Sequence, residues 1–361
     1  MEHANLVIIG AGQSGLATAY VAHRAGLRPI VLEAADTAAG SWPHYYDSLT
    51  LFSPARYSAL PGRPFPGDGD RYPLRGEVAA YLRAYAADLA ADQDADIRYR
   101  HRVRTVSAAN GHGFTVTTDT GATVTGDAVV AATGGFGRPH RPALTGLSDF
   151  GGTVLHAADY RDPDQFARTR VVVVGGGNSA IQIAVELATA ARVSVATRSP
   201  LRWVPQRPLG RDLHWWLTHT GLDGAPLGRL MRGRTAPVLD DGRYRVALAT
   251  GNPDHRAMFT HLDTDSVTWP DGTREHLDAV VLATGYRPHL DYLAGTGALD
   301  TDGTPLHRAG VPSTVPGLGY VGLEFQRTLA SATLRGVARD ARHVLRRLQP
   351  LSGRRPASRL T

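Results

Sequence analysis

The chain of 361 residues contains no cysteine, and all 39 of its Lys+Arg residues are arginine, so lysine is missing as well. Without cysteine there can be no Cys-x-x-Cys redox centre, no thiolate nucleophile and no thiolate-bound metal. Without lysine there is no Schiff-base chemistry. Apolar runs are short, none approaching the ~20 residues that a membrane helix needs. The first strand begins almost at the amino terminus, which leaves no room for a signal peptide. A cytoplasmic protein without a membrane partner is therefore expected. No Ser/His/Asp arrangement and no metal-ligand cluster stands out, so metal is expected to play no part. The net charge of +6 comes from scattered arginines, apart from the cluster Arg346, Arg347, Arg354 and Arg355, and a nucleic-acid partner is not expected. A homodimer would be compatible with the sequence.

Residues 6–15 form the organising stretch. Leu6, Val7, Ile8 and Ile9 are an apolar, β-branched run of the kind buried on both faces of a parallel sheet. Gly10, Gly12 and Gly15 follow at G-x-G-x-x-G spacing, with Gln13 and Ser14 between them. In such a loop the first glycine makes the turn, the second lets a pyrophosphate approach the backbone, and the third lets helix and strand pack closely. The helix N-terminus then offers N–H groups and partial positive charge to the phosphates. The next strand, from Pro29, ends at Glu33, about 20 residues on, where an acid holds the ribose hydroxyls. This loop reads as a site for FAD.

The pattern recurs. Val171–Val174 leads into Gly175, Gly177, Asn178, Ser179 and Ala180, a G-x-G-x-x-A loop followed by a helix-like run to Ala191. Its second strand, Val193–Thr197, ends at Arg198 rather than at an acid. An arginine there pairs with a 2′-phosphate that an acid would repel, so the second loop reads as a site for NADPH. Each half also closes on an Ala-Thr-Gly strand end, with Thr133 and Gly134 in the first and Thr284 and Gly285 in the second. The fold class expected is α/β, with two Rossmann-like dinucleotide-binding domains and a small antiparallel excursion over 97–130, turning at Asn110-Gly111 and Thr120-Gly121. Residues 1–160 and 286–361 are expected to form the FAD domain, with 161–285 inserted as the NADPH domain. Residues 75–91 predict an amphipathic helix. The tail predicts another from about Ala330, its N-terminus returning over the flavin. The irregular stretch from Gly40 to Pro66 holds Tyr45, Tyr46, Phe52 and Tyr57, and loops of that length are usually functional. Together with the segment Trp203–Trp216 it is the candidate for excluding water.

Three motifs together resemble the flavin-containing monooxygenases. They are the two glycine loops and the linker between them, in which Phe150, Gly152, His156 and Tyr160 fit the family's F-x-G-x-x-x-H-x-x-x-Y sequence. The triplet Gly40-Ser41-Trp42 and both Ala-Thr-Gly ends are also similar, and Tyr160 favours the heteroatom-oxidising branch over the Baeyer–Villiger one. The resemblance implies that NADPH reduces FAD, that a C4a-hydroperoxyflavin forms with O2, and that one oxygen passes to a soft nucleophile of a small molecule, sulfur or nitrogen. Ser41, Trp42 and Val103 join the cofactor-binding set on this reading. Tyr46, Phe52, Ser53 and Gln326 become substrate candidates, Ser53 standing where some members carry an asparagine. The tail from Gly322 to Arg327 is similar to flavoproteins encoded with arsenic-resistance genes. His156 reads as a hinge or a contact to the cofactor domain rather than as a catalyst. Two rivals remain: an FAD-dependent NADPH reductase that inserts no oxygen, and a non-enzymatic nucleotide-sensing protein on the same scaffold.

Overall fold

A computed structural model describes residues 2–109, 113–231 and 237–348. The turn at Asn110-Gly111 and the arginines at 354 and 355 lie outside the described residues. Two sheets carry the two halves. The first begins with β1 (Glu2–Ile9), α1 (Gln13–Arg24) and β2 (Pro29–Leu32), and continues through α2 (Arg75–Gln93), β3 (Asp96–Arg98), β4 (Val103–Ala108), β5 (Phe114–Thr118) and β6 (Thr123–Ala131). Its order is β3-β2-β1-β6-β5-β4, and the strand Leu318–Tyr320 also pairs with β6. β6 thus changes partner along its length. Residues 123–126 pair antiparallel with β5, and residues 129–131 pair parallel with Leu318–Tyr320. The expected excursion is therefore smaller than 97–130: β3 pairs parallel with β2 and extends the main sheet, leaving β4, β5 and the start of β6 as the antiparallel part.

The second sheet is wholly parallel. Its strands lie in the order Asp254–Ala257, Arg192–Thr197, Arg170–Val174, Ala279–Leu282, Thr153–His156. Its helix α3 (Asn178–Leu187) packs Ile181, Ile183, Ala184 and Leu187 against the sheet, all fully buried. In both sheets the strand before the glycine loop sits between the strand after the helix and the strand ending in Ala-Thr-Gly. The two halves are therefore structural repeats, and each loop opens at the point where strand order reverses, where open α/β sheets bind ligands.

Two expectations shift. The linker strand Thr153–His156 pairs with Ala279–Leu282, so it belongs to the second sheet and the chain changes sheets well before residue 160. The two crossings between halves, Arg138–Pro139 and Tyr286–Arg287, pair with each other. The tail helix runs Val337–Leu348, starting later than Ala330. Residues 330–336 form turns in which Gly336 approaches Ala330 so closely that a Cβ would lie 1.9 Å from the Ala330 carbonyl oxygen. No described helix is long and apolar enough to cross a membrane.

Candidate active site

At the first loop, Gly10 adopts φ +102°, a conformation that glycine takes without strain. A Cβ on Gly15 would stand 1.7 Å from the Gly10 carbonyl oxygen, so that glycine is demanded by helix packing alone. Gly12 differs. Its φ of −77° suits any residue, and a Cβ there would meet only the Gly40 Cα, at an ordinary 3.5 Å. Nothing in the protein itself requires a glycine at 12. The space in front of it is what a side chain would fill. Both Glu33 carboxylate oxygens accept backbone N–H groups, from Ala11 at 2.6 Å and Ala35 at 2.8 Å, which fixes the acid beneath the loop.

The second loop repeats this division. Gly175 has φ +142°, and its Cβ would lie 2.3 Å from the Ala283 carbonyl oxygen. Gly177 has φ −97° and open space where a Cβ would project. Asn178 ties the loop to the following segment by accepting the Leu239 N–H at 2.9 Å. Arg198 stands exposed just past its strand, with no hydrogen bond or ion pair among the described residues.

The linker pattern has a physical account, residue by residue. Phe150 is buried in the core under the second sheet. Gly152 leaves no room for a Cβ, which would stand 2.4 Å from the Asp278 carbonyl oxygen. His156 is fully buried; its Nδ1 accepts from the Ala158 N–H at 3.0 Å, so Nε2 carries the proton donated to the Gly285 carbonyl at 3.0 Å. Burial holds its pKa below the ordinary histidine range, in keeping with that neutral tautomer. His156 therefore pins the linker to the second Ala-Thr-Gly turn and is not exposed for catalysis. Tyr160 is fully buried and donates to Glu186 at 2.9 Å.

A cavity of about 1080 Å³ joins the two loops. That is just above the ~300–1,000 Å³ usual for single-ligand pockets, which gives room for more than one bound group. It is lined by Gly10, Gly12, Gln13, Ser14, Glu33, Ser41, Trp42, Val103, Thr133 and Gly134 from the first half. From the second half come Gly177, Asn178, Ser179 and Gly285, and from the substrate candidates Tyr46, Phe52 and Ser53. Gly15, Gly175 and Thr284 lie behind the lining; Thr284 donates its hydroxyl to the His140 carbonyl. Gln326 is not at the cavity at all. It is buried, its amide donating to the Tyr320 carbonyl at 2.8 Å and accepting from the Leu323 N–H, and so it shapes the tail from inside.

The walls come from elements that sequence patterns hide. Trp42 donates its indole N–H to Gln13 at 2.9 Å, and Gln13 donates onward to the Ala332 carbonyl at 2.5 Å. This chain of bonds ties the Gly40–Trp42 loop, α1 and the tail around one opening. Trp42, Tyr45, Phe136 and Tyr286 follow edge to face, with ring centroids 5.6, 6.2 and 5.4 Å apart, and make an aromatic wall. The segment Trp203–Trp216 reaches the cavity only indirectly, since none of its tryptophans lines it. Instead His214 stacks on Phe52, Gln206 donates to the Phe52 carbonyl at 2.8 Å, and Tyr72 donates to Asp212 at 2.6 Å. Burial opposes charge on Asp212, but hydrogen bonds from His214, Tyr72 and Gln206 outweigh it and hold its pKa at about 2.

Two nucleotide loops opening on one cavity define a two-dinucleotide flavoprotein. Over residues 7–209 the chain matches the family described as pyridine nucleotide-disulphide oxidoreductase, and it belongs to that family. An uncharacterized oxidoreductase of Bacillus subtilis, CzcO, is 30% identical over 347 residues, covering 95% of this chain and 98% of that protein. Indole-3-pyruvate monooxygenase YUCCA1 of Oryza sativa is 32% identical over 329 residues, covering 82% of this chain and 80% of that protein. The solved flavin-containing monooxygenase of Stenotrophomonas maltophilia superposes with a TM-score of 0.83 at 32% identity, covering 97% of this chain and 99% of that one. The chain is an enzyme, a flavin-dependent monooxygenase with FAD and a pyridine nucleotide as its cofactors. Its other partners are O2 and a small-molecule substrate.

Proposed function

We propose that the enzyme uses NADPH to transfer one atom of O2 to a soft nucleophile, a sulfur or nitrogen of a small molecule, the other atom leaving as water. The observation that carries this reading is the shared cavity: the glycine at the second position of each loop faces the same space, so the reactive ends of both cofactors can meet in it. FAD held in this cavity would supply the redox chemistry that makes one atom of O2 transferable, with NADPH as the reductant.

The chain's own residues bind, orient and exclude water. The α1 N-terminus beyond Gly12 presents N–H groups to a pyrophosphate, and Glu33 stands fixed to receive the ribose hydroxyls. The α3 N-terminus beyond Gly177 does the same for the coenzyme, and Arg198, without a partner among the described residues, supplies a cation for its 2′-phosphate. The aromatic wall from Trp42 to Tyr286 would keep water from the reacting atoms of a bound cofactor and substrate. No side chain has to act as a general base.

The test is turnover of a thioether under isotopically labelled dioxygen with NADPH. One labelled oxygen per sulfoxide is expected, with NADPH consumed in equal amount. Unlabelled product, or NADPH consumption with no sulfoxide or N-oxide from any substrate, would contradict the proposal.

A further inference from the structure

Residues 42–46 join the two nucleotide-binding helices across the cavity. At one end Trp42 donates its indole N–H to Gln13, the first residue of α1. At the other end the Tyr46 hydroxyl donates to Gln182 Oε1 on α3, at 2.5 Å. Tyr46 belongs to the first half by sequence, yet it is buried in the core formed by α3 and the second sheet. Its ring lies 6.1 Å from that of Tyr160, which donates to Glu186 one turn further along α3. The backbone between the two contacts is held as well. Arg75, at the start of α2, donates to the Pro43 carbonyl at 2.9 Å and to the Tyr45 carbonyl at 2.7 Å, and it pairs with Asp47 at 2.9 Å. The Asp47 N–H in turn donates to the Arg161 carbonyl at 2.9 Å, just past Tyr160.

With the cofactor pyrophosphates at the N-termini of α1 and α3, whatever fixes one helix against the other sets the distance between the reacting rings. We propose that Tyr46 is a positioning residue: through Gln182 it holds α3, and with it the coenzyme, in register with the flavin at α1. Its hydroxyl is committed to the protein and not offered to the substrate. Burial raises its pKa above the ordinary tyrosine range, so it remains a donor. This role rests on the second loop holding the coenzyme and is independent of oxygen transfer. Hydride transfer needs the two rings in near-contact, and a misplacement of about 1 Å can cost roughly a hundredfold in rate.

Tyr46→Phe holoenzyme, checked for flavin content and melting temperature, is compared with wild type by anaerobic stopped-flow mixing with NADPH. The limiting rate of flavin reduction is expected to fall about tenfold, while the apparent coenzyme Kd changes by less than about twofold. The long-wavelength charge-transfer absorbance of reduced flavin beside NADP+ is expected to weaken, a signature that lost stability alone would not produce. Gln182→Met removes the acceptor instead of the donor and should have the same effects, which also serves if Tyr46→Phe folds poorly. The double variant should be no worse than either single one, because both remove the same contact. An unchanged limiting rate and charge-transfer band in Tyr46→Phe would overturn the proposal, as would full additivity in the double variant. A raised KM for a thioether with unaltered flavin reduction would make Tyr46 a substrate contact and overturn it too. A Gly177→Val enzyme that binds NADPH and is reduced normally would remove the coenzyme from the second loop and overturn both readings. An impaired Gly177→Val beside a wild-type-like Tyr46→Phe would overturn the positioning role alone.

Discussion

Gly12→Val is expected to give a folded but colourless protein. The two outer glycines of the first loop are needed by the fold: Gly10 for its positive φ, and Gly15 because a Cβ would strike the Gly10 carbonyl at 1.7 Å. Gly12 is needed by neither, since its backbone is extended and the nearest atom to a Cβ is 3.5 Å away. The valine methyls have the cavity to enter, which is where a pyrophosphate must touch the backbone N–H groups of α1. Losing two or more charge-assisted hydrogen bonds costs roughly 3 kcal/mol or more, over about a hundredfold in affinity. Purified Gly12→Val should therefore show an ordinary melting transition and little flavin absorbance, whereas Gly15→Ala should fail to fold. A yellow Gly12→Val with full flavin stoichiometry would remove FAD from this loop.

Gly177→Val is the counterpart on the other side, and it should separate the two cofactors. Open space surrounds the position of its Cβ, so the protein tolerates a side chain that the coenzyme pyrophosphate does not. The variant should stay yellow, while its flavin is reduced by NADPH with an apparent Kd raised by roughly a hundredfold or more. NADH should suffer equally, because both coenzymes share the pyrophosphate. Arg198→Ala in the same assay should weaken NADPH about ten- to a hundredfold and leave NADH nearly unchanged, since one charge-assisted contact to the 2′-phosphate is at stake. Normal anaerobic reduction of Gly177→Val would show that the coenzyme binds elsewhere. Equal losses for both coenzymes in Arg198→Ala would make that arginine structural. Arg207 is a poor substitute reader, because it is engaged with Tyr72.

The parts of this enzyme legible in the sequence are those set by local geometry. A β-branched strand, a glycine loop and a helix occupy consecutive residues, so both nucleotide loops and the helix Arg75–Gln93 can be read directly, and the repeat follows from comparing the halves. The linker pattern is legible too, although its reasons are not: the clash at Gly152 and the bond from His156 to Gly285 arise from strands distant in sequence. What stays hidden depends on long-range placement. Phe136 and Tyr286 belong to the aromatic wall because two crossing strands pair, and no spacing announces that. Gln326, polar and near the end of a strand, reads as a substrate contact, yet the tail turns it inward to bond the Tyr320 carbonyl. The water-excluding role expected of the segment Trp203–Trp216 treats it as a covering element, whereas the fold uses His214 and Gln206 within it to brace Phe52. Strand β3 shows the same limit, since three residues of alternating character do not reveal whether they pair parallel or antiparallel.

The central claim is that the cavity delivers oxygen to a substrate instead of wasting it. The most direct measurement is stopped-flow spectroscopy of the NADPH-reduced enzyme, saturated with NADP+ and mixed with O2 in the absence of substrate. The predicted result is an absorbing species distinct from both reduced and oxidised flavin, persisting for seconds and collapsing when a thioether or amine is added. Direct return to oxidised flavin with stoichiometric hydrogen peroxide, whatever substrate is present, would contradict the account and leave an NADPH reductase.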